Sequence, residues 1–245
     1  MARLLMPLPD RDFDVTEVAV PWKLAVEAGH EVVFCTEAGG HAPAADPRLI
    51  NGVLFGKLGA EPEPIAFYRE LEGTPGFRAP RSWADTDFTA FDGLILAGGH
   101  APGMRQYLGS AEVHARTAAF WATGKPVGAI CHGTIVLARA RDAEGRSVLH
   151  GRRTTCLPRY MEWLAYALTF WKLGRYYRTY PAYVQGEVMA ALASPADFTR
   201  GPITLGPRGT ATDDGPAFVV EDGVYVSARW PGDAYLFARR FLARF

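Results

Sequence analysis

The chain has 245 residues, 49% of them hydrophobic, and its 26 basic and 26 acidic side chains cancel to a formal net charge of zero. Balanced charge without a long Lys/Arg run excludes the electrostatic footprint of a nucleic-acid or anionic-membrane partner. No apolar stretch approaches membrane-spanning length, the start Met1-Ala2-Arg3-Leu4-Leu5-Met6-Pro7 is too short for a signal peptide, and three sparse cysteines (Cys35, Cys131, Cys156) suit a reducing cytoplasm better than a disulfide framework.

Arg3 to Met6 reads as the first strand, closed by Pro7 and Pro9, and Asp10 to Asp14 as a polar loop. A helix follows on Val18, Val20, Leu24, Ala25 and Ala28, with Gly29 as its cap. Pro21 must lie in its first turn or kink it, because proline supplies no N–H. Glu31 to Cys35 is a second strand, apolar as expected when both sheet faces are covered. From Glu37 to about Asp87 glycine and proline recur, with one helix near Pro64 to Leu71, which predicts an insertion beside the sheet.

Asp92 to Ala97 resumes as a strand and runs into Gly98-Gly99-His100-Ala101-Pro102-Gly103, a loop of little bulk. Ser110 can cap a helix carrying Val113, Ala118, Phe120 and Trp121, which Gly124 ends. Next comes Val127-Gly128-Ala129-Ile130-Cys131-His132-Gly133-Thr134, an apolar strand that stops at a cysteine where a helix begins at once. That is the pattern of a nucleophile elbow, whose turn demands small residues two before and two after, here Ala129 and Gly133. A cysteine at a helix start is expected to have a depressed pKa, and the backbone N–H of His132 to point where an oxyanion would form. A buried, inert cysteine is the bland alternative.

Beyond Gly145 the reading gives a strand-like Ser147 to Leu149, a basic turn at Gly151-Arg152-Arg153 and a helix from Pro158 to about Leu173. Residues 166 to 183 are rich in tyrosine, with Arg175 and Arg178 among them, and are expected to form a pocket wall, an oligomer interface or core. A hairpin, Ala217 to Val220 with Val224 to Ala228 around Asp222-Gly223, and a helix opened by Pro231 close the chain. Strands alternating with helices imply an α/β sandwich. No zinc-ligand spacing and no phosphate loop occurs, so neither a metal nor another cofactor is expected.

Ala129-Ile130-Cys131-His132-Gly133, the Gly98-Gly99-His100 loop and Ser227-Ala228-Arg229-Trp230-Pro231-Gly232 together resemble the ThiJ/PfpI superfamily. The resemblance is weakest over 38–87 and 163–215. It implies a flavodoxin-like three-layer α/β/α sandwich with a mostly parallel central sheet, formed as one class I glutamine amidotransferase-like domain over 1–245 with insertions at about 38–87 and 163–215. It also implies a homodimer.

Members of this family carry a glutamate on the first helix that bonds the cysteine, and the resemblance makes Glu17 that residue. A capping-box partner of Asp14 is the competing role. In the branch of chaperone and glyoxalase III proteins a carboxylate orients the histidine after the cysteine. Glu162 falls at a comparable distance, with a solvated helix-face glutamate as the alternative. Gly99 and His132 are expected to supply the oxyanion hole, and Gly98 and His100 to border the pocket. The His-x-Glu pair that class I glutamine amidotransferases place near the C-terminus is missing here, since no histidine follows His150, which disfavours a glutaminase. The expected activity is glyoxalase III-like, turning a small 2-oxoaldehyde into a 2-hydroxy acid without a cofactor. Hydrolysis of a C–N bond in an amide or isonitrile is the alternative, and a redox sensor or chaperone is the non-enzymatic one.

Overall fold

Strand β1 (Arg3–Pro7) opens a computed structural model that describes all 245 residues. In chain order there follow β2 (Arg11–Phe13), α1 (Val15–Glu27), β3 (Glu31–Thr36), β4 (Ala44–Ala45), α2 (Pro47–Asn51), α3 (Pro62–Glu72), α4 (Pro75–Arg78) and β5 (Arg81–Ser82). The middle of the chain supplies β6 (Gly93–Leu96), α5 (Met104–Leu108), α6 (Ala111–Ala122), β7 (Val127–Ile130) and α7 (Thr134–Arg139). Last come α8 (Arg159–Leu173), α9 (Val184–Ala191), β8 (Val219–Asp222), β9 (Tyr225–Ala228) and α10 (Ala234–Leu242).

Seven strands form one sheet in the order β5-β3-β1-β6-β7-β9-β8, parallel except for the antiparallel β8. Among the helices, α1 packs with α3 and α10, and α7 packs with α6 and α9. This is the mostly parallel, helix-flanked α/β arrangement expected, built around one cluster of 52 buried apolar residues. β6 and β7, buried at every position, carry the loops that matter most at their C-terminal ends, where ligand sites of open α/β sheets form.

Several local readings are corrected. The polar loop before α1 contains β2, which pairs with β4 as a separate two-stranded ribbon. β5 joins the main sheet, so the 38–87 excursion contributes its outer strand instead of standing wholly beside it. Ser147 to Leu149 forms no strand; a single bridge, Arg141 to Ser147, is all the pairing it makes. Pro21 lies inside α1, beyond its first turn. Lacking an N–H, it leaves the Glu17 carbonyl without its helical donor four residues on. The final helix starts at Ala234, because Pro231–Asp233 forms a tighter 3-10 turn first.

That turn is pinned by charge. Arg229 and Asp233 are both fully buried and paired twice, Nε to Oδ2 and Nη2 to Oδ1, each at 2.8 Å. Asp233 also accepts the Phe218 N–H at 2.9 Å, and Arg229 donates to the Pro202 carbonyl at 2.7 Å. The pair therefore ties the irregular 199–218 stretch to the sheet.

Candidate active site

At the end of β7 the chain makes one 3-10 turn, Cys131–Gly133, and enters α7. Cys131 has φ 58°, left-handed backbone that costs an L-residue about 1–2 kcal/mol. The neighbours must be small for the turn to close. A Cβ added to Gly133 would lie 2.1 Å from the Leu96 carbonyl oxygen. One added to Gly98 would lie 2.6 Å from the His132 nitrogen and 2.8 Å from Glu17 Oε2. The loop after β6 thus lies directly against the elbow.

Asp14 caps α1 by accepting the N–H groups of Thr16 and Glu17, at 2.8 and 3.1 Å. Glu17 does not answer it as a capping box would. Its Oε2 accepts the Gly98 N–H at 2.7 Å, while Asp14 donates its own N–H to the Gly98 carbonyl. Glu17 Oε1 has no partner of good geometry and faces the Cys131 thiol. With Gly98 N–H taken, Gly99 N–H makes no bond within the chain and His132 N–H is directed at the sulfur.

The electrostatics correct one expectation. Burial pushes the Cys131 thiol well above its ordinary pKa, and the Glu17 and Asp14 carboxyls push it further. The helix start does not offset this, because the sulfur is fully enclosed and its nearest charged groups are acids. Glu17 is likewise raised well above the usual carboxylate range, by burial first and Asp14 second. Asp14 is pushed up to about 6 by burial, against the pull of the Glu17 and Thr16 N–H groups and of Arg208. Thiol and carboxyl are both held protonated, so ionising the sulfur needs a base.

His132 is the nearest group placed to act as one. Burial lowers its pKa well below the ordinary imidazole value, and His100 and Arg178 lower it further, so the ring is neutral. The Thr179 hydroxyl donates to the His100 carbonyl at 2.6 Å and therefore receives the His132 Nε2–H at 3.4 Å. That leaves Nδ1 as the lone-pair nitrogen, 3.5 Å from Cys131 Sγ. Thr179→Val is expected to release the tautomer. At ~1 kcal/mol for one neutral hydrogen bond, turnover should fall about five- to tenfold with the fold intact, as steady-state kinetics and a melting curve will show.

Glu162 is not brought to His132. It is buried, which also sets aside the solvated-helix role, and both its oxygens are engaged: Oε1 with Arg178 at 3.1 Å, Oε2 with the Val184 N–H at 2.9 Å. Burial pushes its carboxyl up to about 7. The segment after α8 folds back over Glu162 and satisfies it there. His100 stands edge-on to His132 with ring centroids 4.7 Å apart, and burial lowers its pKa to about 4. One ligand atom each from His100, Cys131 and His132 falls within 4.8 Å of the others, a soft donor set that could hold a metal ion. Sequence spacing does not reveal it, because His100 comes from a separate loop.

A cavity of about 240 Å³ opens beside these residues, with Asp14, Thr16 and His100 among its lining. The tyrosine-rich segment is divided. Tyr177 lines the cavity and, with Tyr176, donates to Asp46, whereas Phe170 and Trp171 on α8 are exposed. Asp14, Thr179 and Arg208 escaped the sequence reading as site residues, whereas Tyr177 belongs to the segment expected as a pocket wall. The sole signal for Asp14 was its place three residues before Glu17.

A parallel α/β sheet carrying a buried cysteine on a strand–helix elbow, with a carboxyl from the first helix and a neutral histidine beside it, defines the class. The chain belongs to the ThiJ/PfpI family: the model described as "ThiJ/PfpI family-like" matches residues 8–202. It is 31% identical over 172 residues to an uncharacterized protein of Schizosaccharomyces pombe, covering 67% of this chain and 62% of that one. The match thus spans less than two thirds of that relative. A deglycase of Pyrococcus abyssi is 26% identical over 230 residues, with 94% of this chain and 92% of that one covered. Among solved structures, glyoxalase III from Candida albicans superposes with a TM-score of 0.69 at 18% identity, covering 100% of this chain and 97% of its own, a likeness of fold. No helix is long and apolar enough to cross a membrane.

Proposed function

We propose that the chain is a cysteine-dependent enzyme that converts a 2-oxoaldehyde to the corresponding 2-hydroxy acid. The observation that carries this is the neutral His132 with its lone-pair nitrogen 3.5 Å from Cys131 Sγ, beside the Glu17 carboxyl. Relatives named as a deglycase and a glyoxalase III support it.

His132 takes the thiol proton and the sulfur adds to the aldehyde carbon, forming a C–S bond. The oxygen of that carbon, held by the Gly99 and His132 N–H groups, then receives the proton to give a hemithioacetal. His132 next removes the hydrogen on the former aldehyde carbon as a proton, and an ene-diol forms with Glu17 protonating the ketone oxygen. A proton returned to the second carbon, with loss of the hydroxyl proton on the first, leaves a thioester of a 2-hydroxy acid. Water cleaves the C–S bond, releases the acid and restores the thiol. The aldehyde carbon is oxidised as the ketone carbon is reduced, so no external oxidant is consumed. Methylglyoxal should yield lactate, and Cys131→Ser should reduce the rate to background. Lactate formation equal in wild type and variant removes the proposal.

A further inference from the structure

The cavity reaches Cys131 only through His100, which lines it and holds a ring nitrogen within 4.8 Å of the sulfur, and it is poorly matched to a three-carbon substrate. Leu49, Val53 and Leu58 line one part of it, and Met161, Leu164 and Leu168 another. The first group comes from the 38–87 excursion and the second from α8, with Leu205 added from the irregular stretch that Arg229 anchors. Leucines continue to the mouth, where Leu58, Leu168 and Leu205 are 52, 45 and 69% exposed, with Thr204 and Arg208 as polar neighbours in the lining. At its inner end His100 lines the cavity, and its buried Nε2 has no partner within the chain. A hydrated three-carbon dicarbonyl gains nothing from a leucine-walled channel of about 240 Å³, a volume near the lower end of small-ligand sites, roughly 300 Å³.

We propose that the substrates of this site are 2-oxoaldehydes bearing an extended apolar body, alkyl or aryl. The dicarbonyl head passes His100 towards Cys131, and the body lies on the leucines. This rests on the reading of Cys131 as nucleophile towards a 2-oxoaldehyde. Each methylene buried should raise kcat/KM about fourfold. His100 Nε2 is the polar contact left for the carbonyl next to the reacting carbon. The chemistry and its balance are those already given, since the body takes no part in bond changes.

The test compares methylglyoxal with 2-oxooctanal in the wild type, Leu205→Asp and Leu164→Arg. The wild type should favour 2-oxooctanal by about a hundredfold or more in kcat/KM. Both variants should lose most of that preference while methylglyoxal turnover stays within about twofold. Equal kcat/KM for the two aldehydes, or a preference unmoved by both variants, overturns the proposal. If neither aldehyde is converted, the glyoxalase reading itself has failed, and a binding measurement decides this inference separately. Calorimetry with the 2-hydroxyoctanoate product should then show binding far tighter than lactate and weakened by Leu205→Asp. Indifference to chain length there overturns the apolar-body site.

Discussion

Glu17→Gln is expected to lower turnover by about 10²–10⁴ while making Cys131 easier to ionise. The loss is that of a general acid–base group at the reacting atoms. The opposite movement of the thiol follows from charge. In the native protein burial raises both groups, and the Glu17 carboxyl raises the thiol further, because negative charge beside the sulfur disfavours a thiolate. Glutamine never becomes negative, and its amide can donate to the thiolate. The sign is therefore downward: Cys131 in Glu17→Gln should alkylate at lower pH than in the wild type. Iodoacetamide labelling followed by peptide mass spectrometry across a pH series reads this. Cys35, pushed up to about 12 by burial, and Cys156, also raised by burial, serve as internal references. A labelling midpoint that stays put or rises would detach Glu17 from the sulfur.

Asp233→Ala should cost the fold about 3–5 kcal/mol, the usual consequence of stranding one half of a buried ion pair. Arg229 would remain fully buried with a single carbonyl, that of Pro202, as partner. The Phe218 N–H would lose its acceptor too. For a chain of this size the melting temperature should drop on the order of 10 °C. Thermal denaturation followed by circular dichroism measures it, and a shift of a degree or two would mean that the pair is not what holds the turn. Because Arg229 also grips the stretch bearing Leu205, 2-oxooctanal turnover should fall further than methylglyoxal turnover in whatever fraction stays folded.

The parts of this molecule that follow from local rules were legible before any coordinates. Val127 to Ile130 is an apolar strand cut short at a cysteine, and Gly133 can only be glycine where a Cβ would strike the Leu96 carbonyl. Ser110 caps α6 through its hydroxyl, and Gly223 turns the β8–β9 hairpin with φ 62°. What was not legible depends on where irregular chain goes. Thr179, 47 residues from His132, sets the imidazole tautomer from a segment without periodicity. Glu162 has the separation from Cys131 that the family resemblance demands, yet Arg178 and the Val184 N–H capture it. The pKa of Cys131 failed for a related reason: the helix start is visible in the sequence, but complete enclosure beside two carboxyls is a property of the packed molecule.

The ends of the sheet have a consequence for self-association. β5 offers two residues, too few to template a new strand. At the other end, the outer side of β8 is occupied by Arg153, whose N–H donates to the Asp222 carboxylate at 2.9 Å and whose guanidinium donates to the Glu221 carbonyl at 3.0 Å. Glu221 and Asp222 add charge along the same border, where Arg240 and Arg244 meet Glu221. One border is two residues long, and the other is short, charged and has its Glu221 carbonyl already taken. Growth by strand addition, the route from a folded monomer to a continuous intermolecular ribbon, is blunted at both edges of this sheet while it stays folded.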